Sequence, residues 1–246
     1  MESVTIPQLY CPFPSRLNPH AAAVHQGTLD WVQHFRFVSD EAAFRRIRAT
    51  RIGWLAGRFH PNAPREMLQL VSDWYIWMFF RDDQRDESAL GKDPKHLEAV
   101  NARYLEILSG QEPQTDEGSL AHAMRDLRDR LAAVAGTRVW MRRFIRIVQE
   151  HFDSTVWEAT NRLRGAAPDV ATYIRMRPIT GGLHVDAALI EVAQGTRLPP
   201  EVQSHTVVQQ LTVASNNVVC WANDIVSLQK EMRSGDLHNL ILVLQQ

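Results

Sequence analysis

Apolar residues recur at three- and four-residue spacing through most of this chain, and no other feature restricts its fold as strongly. Ten segments carry the pattern: 28–38, 40–57, 64–82, 94–109, 119–134, 137–163, 168–177, 182–194, 200–216 and 216–233. Gly, Pro, Asp or Ser residues separate the segments, while the alternating runs rich in Val, Ile and Thr that form strands are almost absent. The sequence therefore predicts an all-α protein.

The N-terminal stretch differs in character from the rest of the chain. Residues 1–19 contain four prolines and no sustained periodicity, which predicts an extended N-terminal arm. Residues 20–246 are then expected to form a single α-helical domain. Within that domain, the stretch 110–118 predicts a surface loop, and 135–138 predicts a tight turn between helices.

Composition excludes several classes of function. A formal net charge of −1 offers no attraction to nucleic acid. Cys11 and Cys220 lie far apart and fit neither a zinc-knuckle spacing nor a disulfide framework, which favours a reducing compartment. The N-terminus has no signal-peptide pattern, and no stretch reaches the length of a membrane span. We therefore expect a cytoplasmic protein with neither a nucleic-acid partner nor a membrane span.

An acidic cluster follows an aromatic run in WMFFRDDQRDE, residues 77–87. On a helix, Asp82 and Asp86 lie one turn apart, as do Asp83 and Glu87, and each like-charged pair costs roughly 0.2–0.5 kcal/mol. One interpretation is a solvated helix end that the neighbouring arginines neutralise. The other is a carboxylate site for Mg²⁺, shared with substrate phosphates at the mouth of an apolar pocket.

A second group of oxygen donors occurs in WANDIVSLQKE, residues 221–231. Asn223, Ser227 and Glu231 recur every four residues, so they share one face of a helix. Lys230 lies close to the same face, where its ammonium could bind a phosphate held by the same metal. The alternative is an ordinary amphipathic surface helix.

Together, the two clusters resemble those of class I terpene synthases of the bacterial type. That family carries an aspartate-rich motif and an N-D-x-x-S-x-x-x-E motif on facing helices, which correspond here to DDQRDE (82–87) and NDIVSLQKE (223–231). The second motif begins 141 residues after the first, which leaves room for the intervening helices of that fold. The resemblance implies helices arranged around a central apolar pocket.

A third element of the same family precedes the second motif. Its members have a diphosphate-sensing arginine 46 positions before the metal-binding asparagine, followed by a linker residue and a small effector residue. The stretch YIRMRPITGG (173–182) supplies Arg177, Thr180 and Gly181 in these roles. Pro178 is expected to bias Arg177 away from helical geometry, and Gly181 and Gly182 are expected to break the helix again.

The resemblance implies binding of an isoprenyl diphosphate together with three Mg²⁺ ions, with Mn²⁺ as the alternative metal. The enzyme would break the allylic carbon–oxygen bond and guide the carbocation through cyclisation. Arg177 and Lys230 would hold the diphosphate, and either Asp86 or Glu87 would be the distal acid of the first motif. The metal ligands implied are Asp82, Asp86, Glu87, Asn223, Ser227 and Glu231.

A carbocation pocket needs aromatic faces that stabilise positive charge without reacting with it. The candidates are Trp77, Phe79, Phe80, Trp157 and Trp221. For each of them, an ordinary position in the hydrophobic core is the alternative.

Farnesyl diphosphate is the substrate that the family suggests. A chain-elongating prenyl transferase is one alternative, although it would normally carry a second aspartate-rich motif. A truncated, non-catalytic relic is the other alternative, since family members continue past the position of Gln246 through further C-terminal helices and an Arg-Tyr pair. Without those helices part of the pocket wall would be open, so we expect weak or no cyclisation by this chain alone. A homodimer is a further expectation, and Arg81 is expected to pair with Asp86 or Glu87.

Overall fold

The computed structural model describes residue 6, residues 8–87 and residues 93–245, without the side chains of residues 83–87 and 234. This part of the chain contains no strand, which agrees with the predicted all-α class. Its helices are α1 (Ala21–His34), α2 (Glu41–Ala49), α3 (Ile52–Phe59), α4 (Arg65–Glu87), α5 (Pro94–Leu108), α6 (Ser119–Ala135), α7 (Arg138–Arg164), α8 (Val170–Thr180), α9 (Leu183–Ala193), α10 (Pro200–Gln203), α11 (Thr206–Ser234) and α12 (Leu240–Leu244).

Three predicted segments have different limits in the structure. The segment 40–57 forms two helices, because Arg51 adopts a left-handed conformation (φ +52°) between α2 and α3. The segments 200–216 and 216–233 instead meet within the long helix α11, since no Gly or Pro interrupts residues 206–234. The predicted loop at 110–118 is present, and Gly136 makes the turn between α6 and α7 with φ +69°.

Helix α4 occupies the centre of the fold, with α1, α3, α6 and α9 packed around it. Its apolar residues cover most of its circumference, which is typical of a helix buried on several sides. Trp74, Ile76 and Trp77 are fully buried, and each such side chain contributes about 1.5–3 kcal/mol of hydrophobic stabilisation. One part of the α4 surface therefore packs into the hydrophobic core, and another part lines a cavity.

The described part of residues 1–19 contains no helix. Asn18 at its end is buried and donates hydrogen bonds from Nδ2 to the carbonyl oxygens of His60 (2.9 Å) and Ala63 (2.8 Å). These contacts fasten the N-terminal stretch to the turn between α3 and α4. In the described residues, no helix is both long enough and apolar enough to cross a membrane.

Candidate active site

One face of α4 lines a cavity. Tyr75, Met78, Phe79 and Asp82 follow one another at intervals of three or four residues, and all four contact this cavity. Its volume is about 270 Å³, close to the lower limit of roughly 300 Å³ for small-molecule sites. The remaining walls come from α3, α7, α8, α9 and α11 and are largely apolar.

Asn223 and Asp224, the first two residues of the second motif, hold Arg177 at the edge of the cavity. Its Nε donates to Asp224 Oδ1 (2.8 Å), and its Nη2 donates to Asn223 Oδ1 (2.8 Å). Burial alone would lower the pKa of Arg177, but the adjacent Asp224 carboxylate raises it overall, so the guanidinium keeps its charge. The structure shows no hydrogen bond from Nη1 to any described residue, which leaves these two N–H groups available to a ligand.

Asp224 organises this region although its role was not predicted from the sequence. The residue is fully buried and accepts hydrogen bonds from the Tyr173 hydroxyl (2.6 Å) and the Leu240 amide (3.1 Å) as well as from Arg177. Helices α8, α11 and α12 therefore meet at one carboxylate.

Of the two helix breaks predicted in this stretch, only the second is present. Arg177 stays helical, because α8 continues through the buried Pro178 to Thr180, so the predicted break at Pro178 is wrong. The predicted break at Gly181 and Gly182 is confirmed, since α8 ends at Thr180 and α9 begins at Leu183. Thr180 lines the cavity, and its Oγ1 donates to the Arg177 carbonyl (3.3 Å).

Two glycines make the turn between α8 and α9. A Cβ on Gly181 would lie 2.9 Å from Cys220 Sγ, so only glycine lets α8 approach α11 this closely. Gly182 has φ +72°, which glycine adopts without strain, and it begins α9. Gly181 and Cys220 both line the cavity. The cavity therefore reaches the place where the end of α8 contacts α11.

The remaining residues of the second motif lie along α11 beyond the cavity. Ser227 is half-buried, and its Oγ donates to the Asn223 carbonyl (2.7 Å). Glu231 is also half-buried and accepts a hydrogen bond at Oε2 from Asn239 Nδ2 (2.7 Å). Lys230 is exposed. Only Asn223 of this group contacts the cavity itself.

The first motif contributes Asp82 to the cavity. The side chains of Asp86 and Glu87 lie outside the described residues, so the predicted distal ligand and the predicted pairing with Arg81 stay predictions. Arg81 itself is buried and donates hydrogen bonds to Asp82 Oδ1 (3.1 Å), Asn101 Oδ1 (2.7 Å) and Thr155 Oγ1 (2.9 Å). It therefore joins the end of α4 to α5 and α7.

The donor chemistry of the two motifs fits a hard divalent cation. Asp82 and Asn223 contact the same cavity and offer a carboxylate and an amide oxygen, which Mg²⁺ and Mn²⁺ prefer over nitrogen or sulfur. Within the described residues, no three His, Cys, Asp or Glu side chains gather as a metal site. Asn223 and Ser227 add neutral oxygens to the carboxylates that the two motifs offer.

The aromatic candidates separate into different environments. Phe79 contacts the cavity, whereas Phe80 packs edge-on against Phe37 with ring centroids 4.7 Å apart. Trp77 is fully buried in the core and donates from Nε1 to the Leu120 carbonyl (2.9 Å). The other two candidate tryptophans also lie outside the cavity lining: Trp157 packs edge-on against His238 with centroids 5.5 Å apart, and Trp221 is 36% exposed.

Several cavity residues were not singled out from the sequence. Phe59, Trp74 and Tyr75 provide aromatic walls, and Asp186 on α9 adds a carboxylate. Tyr75 and Phe79 lie seven and three residues before Asp82, so counting helical turns back from the first motif would have indicated both. No pattern in the sequence indicates Asp186.

Comparison with known proteins shows one family model and several named enzymes that are similar to this chain. The profile for terpene synthase family 2, C-terminal metal binding, matches residues 73–246. The (+)-T-muurolol synthase of Roseiflexus castenholzii, named as farnesyl diphosphate cyclizing, is 43% identical over 238 residues, or 97% of this chain and 72% of that protein. Germacrene A synthase of Nostoc punctiforme is 37% identical over 244 residues, or 99% and 75% of the two chains.

A solved structure shows the same arrangement of helices. The linalool/nerolidol synthase from Streptomyces clavuligerus superposes with a TM-score of 0.86 at 25% sequence identity. The match covers 96% of this chain and 78% of that chain.

Proposed function

This chain belongs to the terpene synthase family, and on that premise we propose that it ionises farnesyl diphosphate and cyclises the resulting carbocation to a sesquiterpene. The reaction makes it a carbon–oxygen lyase that releases diphosphate. A relative 43% identical to the chain is named as cyclising farnesyl diphosphate, which supports this substrate.

One structural observation carries the proposal. Asp82 and Asn223 come from motifs 141 residues apart, yet both contact one cavity, together with Arg177. The remaining wall of this cavity is mainly apolar. Such a site suits a ligand with one strongly anionic end and a long hydrocarbon chain, and an isoprenyl diphosphate is a ligand of this kind.

The family is a metal-binding one, and we propose that the metal is Mg²⁺, with three ions bound beside the diphosphate. Asp82 would hold metal at the first motif with Asp86 or Glu87, and Asn223, Ser227 and Glu231 would hold it at the second. Bound divalent ions neutralise the negative charge that develops on a departing diphosphate.

Arg177 is proposed to bind the diphosphate through Nη1, because Nε and Nη2 are already engaged by Asp224 and Asn223. A guanidinium fixed in this way is oriented before the substrate arrives, so little conformational entropy is lost on binding. Lys230 is proposed as a second cationic group that approaches the diphosphate from α11.

The hydrocarbon chain would lie along the α4 face of the cavity. Phe79 and Trp74 present aromatic faces there, and such faces stabilise a cation without forming a bond to it. The apolar walls exclude water, which would otherwise convert the carbocation to an alcohol.

The direct test is incubation of the chain with Mg²⁺ and, separately, geranyl, farnesyl and geranylgeranyl diphosphates, followed by gas chromatography and mass spectrometry. We expect a cyclic sesquiterpene from farnesyl diphosphate, in low yield from this chain alone, and its loss when the metal is chelated. Formation of a longer linear prenyl diphosphate on addition of isopentenyl diphosphate would indicate an elongating transferase instead. Absence of a terpene from all three substrates would contradict the proposal.

A further inference from the structure

Three polar side chains from distant parts of the sequence meet beside the apolar part of the cavity. Tyr75 on α4 donates its hydroxyl to Asp186 Oδ1 on α9. His60, which follows α3, places Nε2 3.0 Å from the same oxygen and 3.0 Å from the Tyr75 hydroxyl. Tyr75 and Asp186 contact the cavity, while His60 lies behind them and is completely buried.

This group is separated from the metal-binding motifs. Tyr75 precedes Asp82 by seven residues on the same face of α4, which corresponds to about 10 Å along the helix axis. Met78 and Phe79 line the cavity between them. A substrate with its diphosphate beside Asp82 would therefore extend its hydrocarbon chain toward Asp186.

The hydrogen bonds leave one carboxylate oxygen of Asp186 available. Both partners bind Oδ1, and the structure shows no hydrogen bond from a described residue to Oδ2. Burial raises the pKa of the Tyr75 phenol, and the neighbouring Asp186 raises it further, so Tyr75 remains a neutral donor. Because a carboxylate oxygen only accepts, His60 donates from Nε2, while its buried Nδ1 has no hydrogen-bond partner among the described residues.

Asp186 also lacks a permanent cationic partner. Among the described residues, His60 is the only basic side chain within ion-pair distance of it. Burying a carboxylate is unfavourable unless hydrogen bonds and a nearby positive charge compensate. Two donors meet part of this cost, and a carbocation in the cavity would supply the missing charge.

We propose that Asp186 is a catalytic residue that stabilises the carbocation through Oδ2 and accepts the proton that ends the reaction. In this step a C–H bond next to the cationic carbon breaks, its electron pair forms the new carbon–carbon double bond, and the proton passes to Asp186. Tyr75 and His60 are positioning residues that fix the carboxylate. The assignment rests on the proposed function, because it requires a carbocation in this cavity.

A purely structural role, in which these contacts only join α3, α4 and α9, is the alternative to a catalytic one. Asp73 provides the control for a purely structural acid. Asp73 lies on α4 two residues before Tyr75 and is 1% exposed. It accepts hydrogen bonds from Thr28 (2.7 Å) and Gln69 (2.8 Å) and, unlike Asp186, forms an ion pair with an arginine, Arg130 (2.8 Å). It is therefore a buried, hydrogen-bonded acid that does not line the cavity.

The first experiment compares the terpenes that the unaltered chain, Asp186→Asn and Asp73→Asn make from farnesyl diphosphate and Mg²⁺. Asp186→Asn keeps the shape but loses the charge and the basic oxygen, so we expect its main product to fall on the order of 100-fold, with earlier-terminated alkenes or alcohols in its place. Tyr75→Phe should shift the products in the same direction by less. An unchanged product profile in Asp186→Asn, or the same change in Asp73→Asn, would overturn the assignment.

The second experiment does not depend on turnover. An isoprenoid trialkylammonium ion carries a fixed positive charge where the carbocation would form, and its binding in the presence of Mg²⁺ and pyrophosphate can be measured by calorimetry. We expect affinity at least about tenfold lower in Asp186→Asn than in Asp73→Asn. Equal affinities, or no binding by the unaltered chain, would refute the role of Asp186. If the unaltered chain makes no terpene, the proposed function fails, and this binding comparison still decides about Asp186.

Discussion

The two polar regions of the cavity are built in opposite ways. At one end, Arg177 lies among acidic and amide oxygens, and its charge is balanced by Asp224 before any ligand binds. At the other end, Asp186 receives hydrogen bonds from Tyr75 and His60 but has no permanent counter-ion among the described residues. The first end is prepared for an anion and the second for a cation.

This difference shows how one cavity can separate the two products of an ionisation. When the carbon–oxygen bond breaks, the diphosphate becomes more negative and the hydrocarbon becomes positive. Groups fixed in advance where each charge appears stabilise it without reorganising, and this is usually the largest contribution to catalysis. The following predictions test each end of the cavity separately.

The largest effect is expected at Arg177. Arg177→Lys keeps a positive charge near Asp224 but loses the planar fork that can contact Asp224, Asn223 and a phosphate together, so kcat/KM should fall about 100- to 1,000-fold. Steady-state release of diphosphate from farnesyl diphosphate measures this change. The control is Arg175→Lys, two residues earlier on α8, where the side chain is exposed and activity should be unaffected. Equal losses in the two variants would argue against a diphosphate-binding role for Arg177.

The second effect concerns stability at the same end. Asp224→Ala leaves the buried Arg177 guanidinium without its carboxylate partner, and we expect a loss of about 3–5 kcal/mol in the free energy of unfolding. Urea denaturation monitored by circular dichroism measures it. Asp129→Ala removes an exposed carboxylate from its ion pairs with Arg125 and Arg128, and Arg128 keeps Glu112 as a partner, so the change should cost less than about 1 kcal/mol. A small loss in both variants would show that Asp224 does not join α8 to α11.

A smaller effect is expected at the α8–α9 turn. Gly181→Ala places a methyl group 2.9 Å from Cys220 Sγ, and overpacking of this kind costs about 1–3 kcal/mol. Adding Cys220→Ala should recover part of this loss, because the smaller side chain opens space between α8 and α11. Thermal unfolding of the two single variants and the double variant gives the coupling energy. Strictly additive losses would show that this contact does not limit the approach of the helices.

The smallest effect compares adjacent aromatic residues on α4. Phe79 contacts the cavity, whereas Phe80 packs against Phe37 away from it. Phe79→Leu should change the ratio of terpene products while leaving the melting temperature nearly constant. Phe80→Leu should lower stability by about 1 kcal/mol and leave the product ratio unchanged. The reverse pattern, seen by product analysis and calorimetry, would mean that the hydrocarbon occupies a different face of α4.

The two ends also differ in how far they could be predicted from the sequence. Asp82, Arg177 and Asn223 belong to motifs with fixed spacing, and helical periodicity correctly predicted that all three lie on helices. It did not give the limits of those helices, since α4 continues past residue 82, α8 continues past residue 177, and α11 passes through residue 216 without a break. Their roles as ligands stay predictions until a metal and a diphosphate are bound. The role of Asp224 was not predicted, because its contact with Arg177 depends on how α8 packs against α11.

The Asp186 group could not be predicted, because Tyr75 and Asp186 are 111 residues apart and neither belongs to a recognisable pattern. Their meeting depends on the packing of α4 against α9, which is set by the whole core. The division between α2 and α3 was missed for a local reason. Arg51 adopts a left-handed conformation that sequence rules assign mainly to glycine and asparagine, so nothing in the sequence marked a break there.

The most direct test of the central claim is a crystal structure with Mn²⁺ and pyrophosphate, measured at a wavelength where manganese scatters anomalously. If both motifs serve one anionic site, manganese should appear beside Asp82 and beside Asn223, Ser227 and Glu231, with pyrophosphate between them on Arg177. The same map would show whether Asp86 or Glu87 completes the first motif. Manganese at only one motif, or pyrophosphate bound away from Arg177, would contradict the account.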